Sequence, residues 1–315
     1  MVQPSHNSEN QANDIDTEQL NALCSGDVDG LSNDTIVSLS MTLDKMALLV
    51  AEELGRGDDD DDKLFQSPPP KRECPICMVP MPWHPAVGNV GATYQSCCGK
   101  ILCCGCTLAT DVEITKGKMK ELCVFCRVPP RSNKEILKRL KTRMKTGDAE
   151  SCEELGDSYF KGKLGLLQNK KKAIELWNEA VDLGSVCAHD HLAHSYHNGD
   201  GVARDKEKAI QHWEAAAMKG HEAARHNLGA MEHEKGIKSR AMKPLHMKRA
   251  YKHFMIAAKS GFELSLKQVG EGYKDGYVTK DDYATTLRAY QESHDEMKTD
   301  ERDRAYEARK LGYFS

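Results

Sequence analysis

Apolar positions along the chain fall into three regimes. Ile36, Leu39, Leu43, Met46 and Val50 recur at alternating spacings of three and four, which predicts an amphipathic helix over 34–54. Asn33 or Asp34 can cap it, and Gly55 and Gly57 would end it. Such a face suits a homodimer seam through 34–54 or docking within the chain. Between 71 and 131 helical periodicity gives way to cysteine. Beyond Pro130 it returns: Ser132-Asn133 opens a helix through about Lys145 whose inward side is Ile136, Leu137 and Leu140.

From about 148 the pattern repeats on a larger scale. Leu155, Gly156, Tyr159, Gly162, Ala173, Trp177, Ala180 and Gly184 reappear as Leu192, Ala193, Tyr196, Gly199, Ala209, Trp213, Ala216 and Gly220, an offset of 36 or 37 residues. A third copy follows with Leu228-Gly229, Ala250, Phe254, Ala257 and Gly261. Its roughly five extra residues around Gly236 to Leu245 are expected in a loop. A degenerate fourth runs through Leu266, Tyr273, Gly276, Ala284 and Leu287. Each unit reads as helix, glycine-containing turn, helix, and cannot bury its apolar stripe alone, so stacking into a solenoid is required. The run Leu192-x3-Tyr196-x2-Gly199-Asp200-Gly201-Val202-x2-Asp205-x2-Lys208-Ala209-x3-Trp213-x2-Ala216-Ala217 resembles the Sel1-like repeat, a relative of the tetratricopeptide repeat. That resemblance covers about 148–290 and implies a scaffold that binds protein substrates or partners. His191, His194 and His197 stand at helical spacing and read as polar faces of solenoid helices.

Charge changes the picture at the two ends of the cysteine segment. Residues 1–70 carry fifteen acidic side chains against three basic ones, including the run Asp58 to Asp62. Residues 1 to about 32 have nothing to build a core, so a largely disordered acidic arm is expected. The segment Ser67-Pro68-Pro69-Pro70-Lys71-Arg72 reads as an extended linker. The helix at 132–147 is basic, with Lys134, Lys138, Arg139, Lys141, Arg143 and Lys145 against Glu135. No aromatics interleave with those charges, so a solvated connecting helix is a better reading than a nucleic-acid face. The last segment, 291–315, reads as a charged, solvated helix or tail. No apolar run resembles a signal peptide or a membrane helix, so a cytoplasmic or nuclear protein without membrane partners is expected.

Nine of the twelve cysteines lie between Cys74 and Cys126. Cys74-Pro75-Ile76-Cys77 opens the stretch and Cys123-Val124-Phe125-Cys126 closes it, around Cys97-Cys98 and Cys103-Cys104-Gly105-Cys106. A Cys-x2-Cys knuckle lets two thiolates reach one tetrahedral ion, so the pattern points to structural zinc. The segment resembles an all-cysteine RING finger. That resemblance implies two zinc ions per chain, the first held by Cys74, Cys77, Cys103 and Cys106, the second by Cys97, Cys98, Cys123 and Cys126. Because Cys97 and Cys98 are adjacent, His84 and Cys104 are alternatives to Cys97.

The expected architecture is mostly α: a small two-zinc RING-like module at 71–131 followed by a Sel1-like solenoid. The chain offers no nucleophile–base pair, phosphate loop or open metal site, so no catalytic residue is assigned. The RING resemblance implies a ubiquitin ligase that docks a ubiquitin-conjugating enzyme carrying ubiquitin and acts by proximity. It places partner contacts at Ile76, at Arg127 after the last cysteine, and at Pro129 or Pro130. The alternative is a zinc-stabilised adaptor without ligase activity.

Overall fold

The computed structural model describes residues 63–83, 92–118, 120, 122–129 and 132–310, all within the compact unit Asp62–Ser315. The amphipathic pattern at 34–54, the run Asp58 to Asp62, His84 and Pro130 lie outside the described residues. Two short antiparallel hairpins come first: β1 (Arg72–Glu73) with β2 (Pro80–Met81), and β3 (Ala92–Gln95) with β4 (Lys100–Cys103). Helix α1 (Cys104–Thr115) follows β4 directly, and α2 (Asn133–Met144) leads into the repeats. These are α3 (Ala149–Lys161), α4 (Lys170–Asp182), α5 (Val186–Asn198), α6 (Lys206–Met218), α7 (Glu222–Lys238), α8 (Lys243–Lys259), α9 (Glu263–Lys274) and α10 (Lys280–Met297). Helix α11 (Asp300–Lys310) ends the described chain.

The repeat period recurs in the polar groups that start and stop each helix. Asp148, Ser185 and His221 each accept a hydrogen bond from the backbone N–H three residues on, at 3.1–3.2 Å. Asn169 and Asp205 do the same for the second helix of their units, at 2.9 and 3.0 Å. Each cap satisfies an otherwise orphaned donor and contributes about 1 kcal/mol. Gly162 and Gly199 end α3 and α5 in the left-handed region, at φ 69° and 81°, where a Cβ would be strained.

Trp177, Trp213 and Phe254 occupy the same place in successive units and are almost fully buried. The ring needs a small residue on the facing helix. A Cβ on Gly156 would lie 2.6 Å from Trp177 Cδ1, and one on Gly229 2.7 Å from Phe254 Cε1; Ala193, fully buried, takes this position in the second unit. The histidines pack against these anchors. His191 stacks on Trp177 at 4.8 Å, and His194 and His197 lie against Trp213 at 5.4 and 5.5 Å.

The extra residues of the third unit do not form a loop. They lengthen α7 and α8 to 17 residues each, against 13 in the two preceding pairs. Buried Glu232 holds the extension together, accepting from His246 Nδ1 at 2.8 Å and from Lys235 at 3.3 Å. Pro244 opens α8 in its first turn, where its missing N–H costs nothing.

The cysteine segment shares its interior with the later repeats. Cys74, Met81, Leu102, Cys103 and Cys106 form one buried cluster with Ala223, Ala257, Phe262 and Met297. The C-terminal helix, expected to be solvated, is anchored here by Arg302, which is 1% exposed. Likewise Leu140 of the basic helix α2 is fully buried against Leu155 and Leu176.

Candidate metal centre

The two cysteine knuckles share one backbone design. Cys74 N–H donates to Val79 O and Met78 N–H to Cys74 O, at 3.1 and 2.8 Å. Cys123 N–H donates to Val128 O and Arg127 N–H to Cys123 O, at 2.9 and 3.0 Å. The residue after each second cysteine adopts a left-handed conformation, Met78 at φ 56° and Arg127 at φ 59°. That is costly for residues with a Cβ. Sequence reading missed this strain, because neither glycine nor asparagine marks the position.

Between the knuckles, β3 and β4 pair with Gln95 opposite Lys100. The turn is closed by hydrogen bonds from Cys98 N–H and Gly99 N–H to Gln95 O, at 3.1 and 2.7 Å. Cys97 and Cys98 both sit in this turn, where adjacent side chains can converge. β4 delivers Cys103 to the first residue before α1, where its Sγ accepts from Cys106 N–H at 3.4 Å. A single helical turn thereby brings Cys103 and Cys106 to one place.

Two groups of four thiols result. Cys74, Cys77, Cys103 and Cys106 lie with all Sγ atoms within 4.8 Å of one another, as do Cys97, Cys98, Cys123 and Cys126. Each could hold a metal ion. The Cys77–Cys103 and Cys98–Cys123 Sγ separations are both 3.8 Å, and a tetrahedral ion with metal–sulfur bonds of about 2.3 Å needs sulfurs roughly 3.8 Å apart. Cys104, though buried, belongs to neither group.

The electrostatics of the sites suit a cation. Burial, followed by neighbouring thiols, pushes Cys97 and Cys106 far above the ordinary thiol range. At Cys74 burial also raises the pKa, but backbone hydrogen bonding at Cys103, Cys77 and Ile76 outweighs it and brings the thiol down to about 7. Cys123 falls to about 7 likewise, its burial offset by backbone hydrogen bonding at Cys126 and Phe125. Crowded thiols of this kind ionise together only beside a positive ion. Arg302 supplies one positive charge to the first group. It donates to Pro80 O at 2.8 Å, Met297 O at 2.7 Å and Val79 O at 3.1 Å, and its Nη2 lies 3.6 Å from Cys77 Sγ. A Cβ on Gly105 would come within 2.7 Å of Arg302 N, so only glycine allows this close approach. Nothing in the sequence distinguishes Arg302 from the other charges of its segment.

The residues assigned to partner contact have different settings. Ile76 is 43% exposed on the first knuckle, with Met78 at 64% beside it and Phe125 at 36% on the second. Arg127 is also exposed. Pro129 lines a cavity of about 400 Å³ with Val124, Val128, Ile114, Ile136 and Leu164.

The Sel1 repeat family model matches residues 149–185 and 188–221, the first two units, so the repeat region is Sel1-like. A Sel1 repeat protein from Oxalobacter formigenes is similar in structure, at 19% identity over 60% of this chain and 72% of that one, with a TM-score of 0.45. So is c5321, a protective antigen of uropathogenic Escherichia coli with an SLR fold, at 21% identity over 60% of this chain and 38% of that one, TM-score 0.45. The immunity protein Pa5087 from Pseudomonas aeruginosa is similar at 13% identity, over 59% of this chain and 82% of that one, TM-score 0.29. No curated protein matches the chain. Among the described residues no helix is long and apolar enough to cross a membrane.

Proposed function

We propose that the protein is a zinc-stabilised interaction scaffold, with two structural zinc ions rigidifying residues 71–131 and the Sel1-like repeats holding a partner protein. The supporting observation is the interleaving of the two thiol groups. The first and third cysteine pairs converge, as do the second and fourth, the cross-braced order of a RING finger. Four thiolates close each site, so bound zinc would supply folding energy rather than Lewis-acid chemistry. Elemental analysis of purified protein should find two zinc ions per chain. One ion per chain would remove the cross-brace.

A more specific reading is favoured by the exposed Ile76 and Arg127 at the tips of the two knuckles. In it the module docks a ubiquitin-conjugating enzyme, and the repeats present the protein to be modified. Catalysis is then by orientation, with no side chain of this chain forming a bond. Ile76→Ala should weaken docking by about 2 kcal/mol, as an apolar hot spot would. Arg127→Lys should leave docking intact and slow ubiquitin discharge, because a planar fork bridges two partners better than an ammonium. Single-turnover discharge of charged conjugating enzymes onto free lysine tests both. No acceleration with any enzyme of a broad panel would leave the scaffold reading alone.

A further inference from the structure

The linker between the acidic run and the first cysteine is not a free spacer. Lys63–Leu64 form a short helical turn, after which the chain runs across α6, α7, α8 and α10 to β1. Leu64 is 7% exposed and sits among Trp213, Ala217, Ala224 and Leu228. Arg225, itself buried, donates to Leu64 O through Nη1 and to Ala217 O at 2.9 Å through Nη2. Phe65 lies on His253 at 4.6 Å between centroids, with Lys252 Nζ 4.0 Å and Arg249 Cζ 5.7 Å from its ring. Pro69 rests over Gly220, where an added Cβ would lie 3.4 Å from the proline ring. Lys71 Nζ closes the path on Ser293 Oγ at 2.6 Å.

These contacts read like recognition of a peptide rather than packing of a core. Arg225 reads a main-chain carbonyl, which any sequence offers. The slot beside Leu64 accepts one aliphatic side chain, and the Lys252–Arg249 pair selects an aromatic ring by cation–π attraction. A glycine floor accepts a proline, which needs no N–H partner and arrives already extended.

We propose that this face of α6, α7 and α8 is a docking groove for extended protein segments carrying a Leu-Phe pair followed within a few residues by proline. The chain's own residues 64–70 are its resident ligand. The inference names the partner class for the repeats and so rests on the scaffold reading, but its test needs no conjugating enzyme. A tethered segment competes at an effective concentration in the millimolar range, so an external segment of the same class binds only by displacing it. Displacement need not disturb the cysteine segment, because residues 64–70 precede β1.

The test uses full-length protein and a fluorescein-labelled synthetic peptide of residues 58–72, followed by anisotropy. Leu64→Asp with Phe65→Asp empties the groove, and the peptide should bind this variant at least tenfold more tightly than wild type. Adding Lys252→Glu, an exposed position, should cut that binding several-fold, and a peptide with Phe65→Ala should bind neither protein. Equal affinity for wild type and the emptied variant would overturn resident occupancy. No binding to an emptied variant that keeps its helical circular dichroism and melting transition would overturn the groove itself. If the double variant does not fold, Phe65→Ala in the full chain replaces it and must still bind the peptide more tightly than wild type; equal binding again refutes the proposal. Loss of peptide binding with two zinc ions retained would refute the groove and leave the proposed metal-stabilised scaffold standing.

Discussion

The repeats and the cysteine segment solve the same problem in opposite ways. In the first three repeats Trp177, Trp213 and Phe254 are each buried against a small residue, and every unit borrows its neighbour's surface. Stability then comes from apolar area and propagates along the array. Among the described residues of the cysteine segment the buried side chains are chiefly thiols, with Met81 and Leu102 the only large apolar ones that are buried. Beside them stand a guanidinium and a shared wall formed by Ala223, Ala257, Phe262 and Met297. One region is held by periodic burial; the other gathers eight thiols at two points.

The sharpest way to break this contrast is to remove the proposed zinc. Zinc binding in small cysteine modules contributes about 10–16 kcal/mol of folding free energy, so a strong chelator or Cys103→Ser should unfold residues 71–131. Because Ala257, Phe262 and Met297 share the cluster with Cys74, Cys103 and Cys106, α8 to α11 should lose more amide-exchange protection than α3 to α6, which meet the segment through the partly buried Tyr94 and Trp83. Uniform loss would show that the cysteine segment supports the whole array, and no loss beyond residue 131 that the shared wall transmits no stability.

Trp213→Ala probes the other region. Trp213 is 2% exposed and its Nε1 donates to Asp190 Oδ1 at 3.1 Å, so truncation should cost roughly 3–5 kcal/mol. Chemical denaturation should show the loss, with the two thiol sites still binding metal. An unchanged midpoint would mean that the repeats do not rely on their anchors.

Arg302→Met asks how far the two regions depend on each other. It removes the Arg302 donor from Pro80 O and Met297 O, while Val79 O keeps Cys74 N–H, and should cost about 2 kcal/mol, at roughly 1 kcal/mol or more per lost hydrogen bond. Removal of a partner next to a ligand typically weakens metal affinity about 10- to 100-fold, which a chelator competition can measure. Full retention of affinity would reduce Arg302 to a packing residue.

The smallest effect concerns pH. His189 Nδ1 lies 3.1 Å from His212 Nδ1. Burial, then the charge of His212, then Lys219 bring the His189 pKa down to about 4 from 6.5. A histidine whose folded pKa is depressed stabilises the fold in its neutral form. That contribution is present above about pH 6.5 and is lost as pH falls toward 4. Wild type should therefore lose more melting temperature between pH 7 and pH 5 than His189→Gln does. Parallel slopes would show that the pair does not titrate against folding.

Much of the repeat region was legible because its information is local and periodic. Spacing alone located the helices around Trp177, Trp213 and Phe254, since an apolar stripe at helical period has few alternative folds. The third unit escaped this reading. Whether extra residues loop out or lengthen two helices depends on a partner for buried Glu232, and His246 lies 14 positions away. The cysteine pattern likewise suggested ligation, because two thiols at knuckle spacing can reach one tetrahedral ion.

What the sequence determined by itself, then, was periodic burial in the repeats and the chemistry of the thiols. Tertiary structure alone decided how the regions join. Arg302 meets Cys77 across 225 residues, Lys71 meets Ser293 across 222, and Arg225 meets Leu64 across 161. A charged side chain in a charged segment carries no periodic signal. Its burial is fixed only when distant carbonyls and sulfurs converge on it, because a guanidinium leaves water only where such partners satisfy it.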